Sequence, residues 1–139
     1  MGKSIKEIAV NDQAHQIKTI TERDIELFGE VTNDYNPVHF NEEYASKTMF
    51  KKRICHGMLI GSLFSKVFGM DLPGEGSIYI SQTLRFRRPV FLGDVIKAEV
   101  TVKQIDIEKN RVYFDCVAYN QDNESVVIGE ACMMPVKKD

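Results

Sequence analysis

The sequence has no apolar stretch of the ~18–20 residues needed to span a bilayer. Its longest apolar region, Met58 to Met70, is interrupted by Gly61, Ser62, Ser65, Lys66 and Gly69. The N-terminal MGKSIKEIAVNDQ lacks the apolar core of a secretory signal, and Lys6 stands where a myristoylation pattern needs Ser or Thr. Cysteine is scarce. Cys55, Cys116 and Cys132 are odd in number and form no C-x-x-C pair, so neither a disulfide framework nor a cysteine zinc site is signalled. The expectation is three reduced, mostly buried thiols in a cytoplasmic protein. Neither sign of charge dominates: Lys plus Arg is 18 and Asp plus Glu is 20, a net charge of −2 that argues against a general nucleic-acid binder. G-x-G-x-x-G, G-x-x-x-x-G-K-[ST], H-E-x-x-H and G-x-S-x-G are all absent. Dinucleotide, P-loop, zinc-protease and nucleophile-elbow chemistry are therefore not signalled.

What remains is an ordinary soluble composition, 43% hydrophobic and 27% charged over 139 residues. A chain of that size holds one core without staples, so residues 1–139 are expected to form a single domain. No repeat, linker or low-complexity segment divides it.

The first half reads helical. After a short extended segment ending at Ile20, Thr21 offers an N-cap with Asp24 three residues on, and Ile25, Phe28 and Val31 recur at helical spacing. A helix over 22–32 is expected, ended by Asn33–Pro37 because Pro37 biases Asn36 away from helical backbone. Asn41 caps a second short helix from Glu42 to about Met49. From Gly57 to Phe68 apolar residues fall on nearly every side, which predicts a helix buried all round, with Gly61 and Ser62 allowing close approach. From Ser77 onward the period changes to two: Ile78 and Ile80 alternate with Tyr79 and Ser81, then Ile96, Ala98, Val100 and Val102, and Val112, Phe114, Cys116 and Ala118, alternate with the residues between them, which marks strands with one face buried. The breaks at Leu92–Asp94, Glu108–Asn110 and Gln121–Asn123 are short enough for hairpins. The result is an α+β domain: an antiparallel sheet of four or five strands against one buried helix.

Three clusters carry chemical potential. Asp34 and His39 lie five residues apart across a proline-fixed turn, which can bring a carboxylate and an imidazole to one point where they hold and polarise a water. The plain alternative is that Asp34 caps the turn and His39 is a satisfied core histidine. Cys55-His56-Gly57-Met58 stands at the start of the central helix, whose first N–H groups lack internal partners and carry partial positive charge. The N–H of Gly57 or Met58 suits a developing oxyanion; in the plain reading Gly57 starts a helix and His56 is a polar cap. A Cys55–His56 nucleophile pair is disfavoured, since adjacent side chains rarely face each other. Third, Lys51-Lys52-Arg53 and Arg85, Arg87 and Arg88 gather six of the basic residues, fit for a phosphorylated ligand or simply for solvent. On a strand, Arg85 and Arg87 share one face, and Arg88 the face of Phe86.

These residues resemble a known family. Asp34-x-Asn36-Pro37-x-His39 is similar to the hydratase motif of the MaoC-like, (R)-specific enoyl-CoA hydratases. His56-Gly57-Met58-Leu59, Pro73-Gly74-x-Gly76-Ser77-Ile78-Tyr79 and Phe86-x-x-Pro89-Val90-x-x-Gly93-Asp94 extend the likeness from about Thr21 to Pro135. The resemblance implies the hot-dog fold, an antiparallel sheet wrapped around one central helix. It implies reversible hydration of a trans-2-enoyl-CoA to an (R)-3-hydroxyacyl-CoA. Asp34 and His39 would hold the water and the Gly57 N–H would receive the thioester oxygen. Asn36, His56 and Met58 are expected as further substrate contacts, and the clustering of Arg85, Arg87 and Arg88 makes them candidates for the CoA phosphates. The resemblance implies no metal and no cofactor, an acyl-CoA thioester as ligand, and a homodimer, which also covers otherwise unpaired sheet edges. The rival readings are an acyl-carrier-protein-linked dehydratase, a hot-dog thioesterase, and an acyl-CoA-binding module without turnover.

Overall fold

The computed structural model describes residues 1–139. After a short 3-10 turn at Ile5–Glu7 come β1 (Gln13–Thr19), α1 (Glu22–Thr32), α2 (Pro37–Phe40), α3 (Glu42–Ser46) and α4 (Gly57–Lys66). Then follow β2 (Ile78–Gln82), β3 (Arg85–Phe86), β4 (Val95–Asp106), β5 (Arg111–Tyr119) and β6 (Ser125–Met134). The local signals explain the boundaries. Thr21 and Asp24 form a reciprocal capping box that opens α1, and Asn33, left-handed at φ 64°, closes it. Asn36 caps α2, with Pro37 at its first position, where a missing N–H costs nothing.

All six strands join one antiparallel sheet in the order β1-β4-β5-β6-β2, with β3 alongside β6. Alternation along β4 and β5 sends Ile96, Ala98, Val100 and Val102, and Val112, Phe114, Cys116 and Ala118, into the core, all fully buried. α4 lies on that face. Its Leu59, Ile60, Leu63 and Phe64 are buried, and Phe68, in the π-turn Val67–Asp71 that continues the helix, meets Phe114 edge to face at 4.8 Å. No helix is long and apolar enough to cross a membrane.

Three expectations are corrected. α4 is not buried all round: Met58, Ser62, Ser65 and Lys66 face solvent, because one sheet covers only one flank of the helix. Close approach occurs at Gly61, where an added Cβ would stand 2.7 Å from Leu84. Leu92–Asp94 is not a hairpin between sheet neighbours, since β3 pairs with β6 and β4 with β1 and β5. Instead the Gly93 N–H donates to the Ile20 carbonyl (2.8 Å) and the Ile20 N–H to the Asp94 carbonyl (2.9 Å), so the turn is sewn to the end of β1 and delivers β4 beside it. Gly93 adopts φ +91°, a backbone that favours glycine. Finally, β2 shows no buried face. It is an outer strand with a register shift between Tyr79 and Ser81, and Ile78, Tyr79 and Ile80 are 50%, 38% and 46% exposed.

Candidate active site

The turn after α1 is fastened at every step. Gly29 leaves room for it: a Cβ there would lie 2.7 Å from the Phe40 ring and 3.1 Å from Tyr35. The Asp34 N–H donates to Thr32 Oγ1 (3.2 Å), and Asp34 Oδ1 accepts the Asn36 N–H (3.1 Å). Asn36 Oδ1 in turn accepts the Val38 N–H (3.2 Å). Asp34 thus does brace the turn, while its side chain stays exposed and lines a cavity.

One turn of helix later, His39 is buried, 8% exposed. Its Nδ1–H donates to the Ile54 carbonyl (2.8 Å), because a carbonyl can only accept. In the neutral ring that bond leaves Nε2 with a free lone pair. Burial, the strongest influence, holds the His39 pKa below the ordinary histidine value; the bond to Ile54 pulls it back, His56 lowers it further and Asp34 raises it. Residues 53–55 grip α2 from outside: the Ile54 N–H donates to the Val38 carbonyl (3.2 Å) and Arg53 Nε to the His39 carbonyl (2.7 Å).

His56 stacks on His39, ring centroids 4.0 Å apart and tilted by 29°. Asp34, His39 and His56 bring side-chain donors within 4.8 Å of one another. Gly57 then opens α4. The Phe86 ring lies directly on it, so an added Cβ would sit 2.8 Å from two ring carbons. The first N–H groups of the helix have no intrahelical acceptor.

Asp34, His39, His56, Gly57 and Met58 border one cavity of about 520 Å³. Its buried wall includes Ile60, Val90 and Val127; Phe86, Met58 and Met49 are exposed at its mouth. Arg87 and Arg88 also line it, together with Phe86. The alternation expected across these residues fails because the N–H groups of both Arg87 and Arg88 turn to the single carbonyl of Val126. Arg88 is already engaged, by Ser125 (3.1 Å) and Glu124 (3.4 Å). Arg85 and Asn36 do not line the cavity. Arg53, read in the sequence as part of a basic run, is bound to Glu22 (2.8 Å) and only 13% exposed. Lys52 Nζ lies 4.5 Å from the centroid of the Phe91 ring. Cys55 is no nucleophile: burial pushes its thiol up to about 12, and Sγ points at the His56 carbonyl. The Ile54 carbonyl carries no sequence signal, since every residue has one.

The arrangement gathers a free imidazole nitrogen, a carboxylate and a helix start with unpaired N–H groups around one cavity with apolar walls. It suits a planar conjugated carbonyl compound whose oxygen meets the helix while a water meets the pair.

A model of the MaoC-like domain matches residues 7–122. An (R)-specific enoyl-CoA hydratase of Rhodospirillum rubrum is 43% identical, over 93% of this chain and 89% of that protein. A mitochondrial 3-hydroxyacyl-[acyl-carrier-protein] dehydratase of Arabidopsis thaliana is 38% identical, over 89% of this chain and 75% of its own. Among solved structures, the unliganded R-hydratase PhaJ1 of Pseudomonas aeruginosa superposes with a TM-score of 0.93 at 44% identity, covering 99% of this chain and 88% of that one.

Proposed function

Because this chain belongs to the MaoC-like family, and is an enzyme of the hydro-lyase kind, we propose that it hydrates trans-2-enoyl-CoA reversibly to (R)-3-hydroxyacyl-CoA at the Asp34–His39 cavity. The observation that carries the reading is the free Nε2 of His39 near the Asp34 carboxylate, in one cavity with the start of α4. The substrate's thioester oxygen meets the Gly57 N–H. Water held by the pair adds through its oxygen to the β carbon as the C=C double bond shifts its electrons toward the thioester oxygen. The pair takes one proton from that water and returns one to the α carbon, so atoms balance without an added reagent. Developing charge on the oxygen falls at the positive end of the helix, where fixed N–H dipoles act without reorganising.

Arg87, at the cavity mouth, is the leading contact for a CoA phosphate, with Arg88 beside it; Met58 and Phe86 flank the pantetheine arm. Arg87→Gln should raise KM for a CoA thioester and leave kcat nearly unchanged, because a phosphate binds alike in ground and transition states. The same variant on a pantetheine thioester should show no change; an equal loss on both would move the phosphate site elsewhere. Two copies of the chain form the working unit, joined through β2.

The deciding assay follows the enoyl absorbance of crotonyl-CoA alongside a free-thiol assay. Loss of absorbance without thiol release is the expected result, and thiol release would mark a thioesterase. The plant relative named for an acyl-carrier protein makes the carrier a second question. Comparing crotonyl-CoA with the same acyl group on acyl-carrier protein answers it by the ratio of kcat/KM.

A further inference from the structure

We infer that His56 is a positioning residue, whose imidazole ties the Asp34 turn to the start of α4 and so sets the spacing between the water-holding pair and the helix N–H groups. The inference rests on the hydratase reading above. His56 Nε2 lies 3.0 Å from the main-chain carbonyl of Asp34. A carbonyl only accepts, so the proton is on Nε2 and the neutral ring leaves Nδ1 bare. That Nδ1 is buried with no partner. The surroundings are otherwise aromatic: Phe28 at 4.9 Å, Phe40 at 5.7 Å and His39 at 4.0 Å. A phenylalanine would fill such a box without stranding a nitrogen. Packing therefore does not account for a histidine here, and the Nε2–H is what the imidazole adds.

That donor acts where direction matters. Asp34 follows a left-handed residue, Asn33 at φ 64°, and its peptide groups are held by Thr32 on the N–H and His56 on the carbonyl. Releasing the carbonyl frees the peptide plane that aims the carboxylate. Because His56 is bonded directly to Gly57, the same side chain registers the carboxylate against the helix start. The stack adds an electrostatic effect. The groups facing His39 are Asp34 on its own turn, His56 just before α4, and Arg53 at its carbonyl with Glu22 behind. Of these, His56 directly opposes a charge on the His39 ring.

Two substitutions separate this role from packing. His56→Phe keeps the aromatic box and loses the donor; His56→Gln keeps a donor of similar reach and spoils the box. On crotonyl-CoA, His56→Phe should lower kcat by about 10²-fold, the scale of a misplaced catalytic group, with KM near wild type. Its kcat/KM profile should lose activity at a higher pH than wild type does, since the ring opposing the charge on His39 is gone. His56→Gln should keep most of the wild-type kcat. A Phe variant as active as the Gln variant, or more so, overturns the inference. If the Phe variant does not fold, 15N NMR of histidine-labelled wild-type protein decides: the expected proton is on Nε2 of His56 and on Nδ1 of His39, and a proton on Nδ1 of His56 overturns it. Wild-type protein that leaves crotonyl-CoA unchanged sinks the hydratase reading instead, while the NMR result still stands on its own.

Discussion

At the scale of single residues, the proposed water-holding pair makes the sharpest claims. Asp34→Ala and His39→Ala should each cut hydration by about 10²–10⁴-fold, and the double variant should lose little more, since both act on one water. Wild-type turnover in either single variant, with far-UV circular dichroism unchanged, would remove that residue from the site. The pH profile follows from burial. On the proposed mechanism His39 acts as a neutral base, and its pKa lies below the usual histidine value. Activity should therefore hold down through about pH 6.5, the ordinary histidine value, and fall only at lower pH. Stability carries the same sign. Below the ordinary value the unfolded chain takes up a proton that the folded chain refuses, so stability drops as pH falls through that range and levels off below the folded pKa. Replacing His39 with Asn should flatten that part of a stability-against-pH curve measured by urea unfolding. That Asp34, His39 and Gly57 come together at one cavity was legible because a turn, a proline and a helix start are local. The work of Arg53 was not: a charge run reads the same whether it meets solvent or, as here, a carbonyl and Glu22.

At the scale of elements, Gly57 and Phe86 belong together although α4 and β3 are distant in sequence. With a Cβ at Gly57 only 2.8 Å from the ring, Gly57→Ala forces Phe86 to move at the cavity mouth, a crowding that typically costs about 1–3 kcal/mol. Gly57→Ala should lose most activity, and adding Phe86→Leu should restore part of it. If the second change restores nothing, the loss lies in the helix start and not in the ring. The elements themselves show what period and punctuation can reveal. α1 matches its expected span, because capping box and apolar spacing agree along one stretch of chain. The turn at Leu92–Asp94 misled because hairpin chemistry is local while pairing is not: Arg85 finds its partner at Ile128, far along the chain. The four-residue α2 was hidden behind Pro37, which ends a helix from one side and begins one from the other.

At the scale of the whole molecule, β2 presents an outer edge with Ile78, Tyr79 and Ile80 half exposed, and an edge of that kind invites another strand. Light scattering at micromolar concentration should give twice the mass of the 15.9 kDa chain. Ile80→Lys should give the chain mass and lose activity with it; a dimer that survives the lysine would place the interface elsewhere. An antiparallel sheet against one apolar helix was legible from alternation in the strands and the apolar run of α4, whereas the open flank of α4 was not, since hydropathy does not say which neighbour does the covering. One feature of the site bears on how the molecule breathes. The segment that grips α2 is itself anchored inward, with the Cys55 N–H on the Val90 carbonyl (2.6 Å) and Ile54 bridged to Phe91. The short helix bearing His39 is thereby latched to the chain that runs on into the sheet. It cannot detach as a free loop would, and the amides of Ile54 and Cys55 should exchange with deuterium only as slowly as those of β4 and β5, in openings that take the whole domain apart.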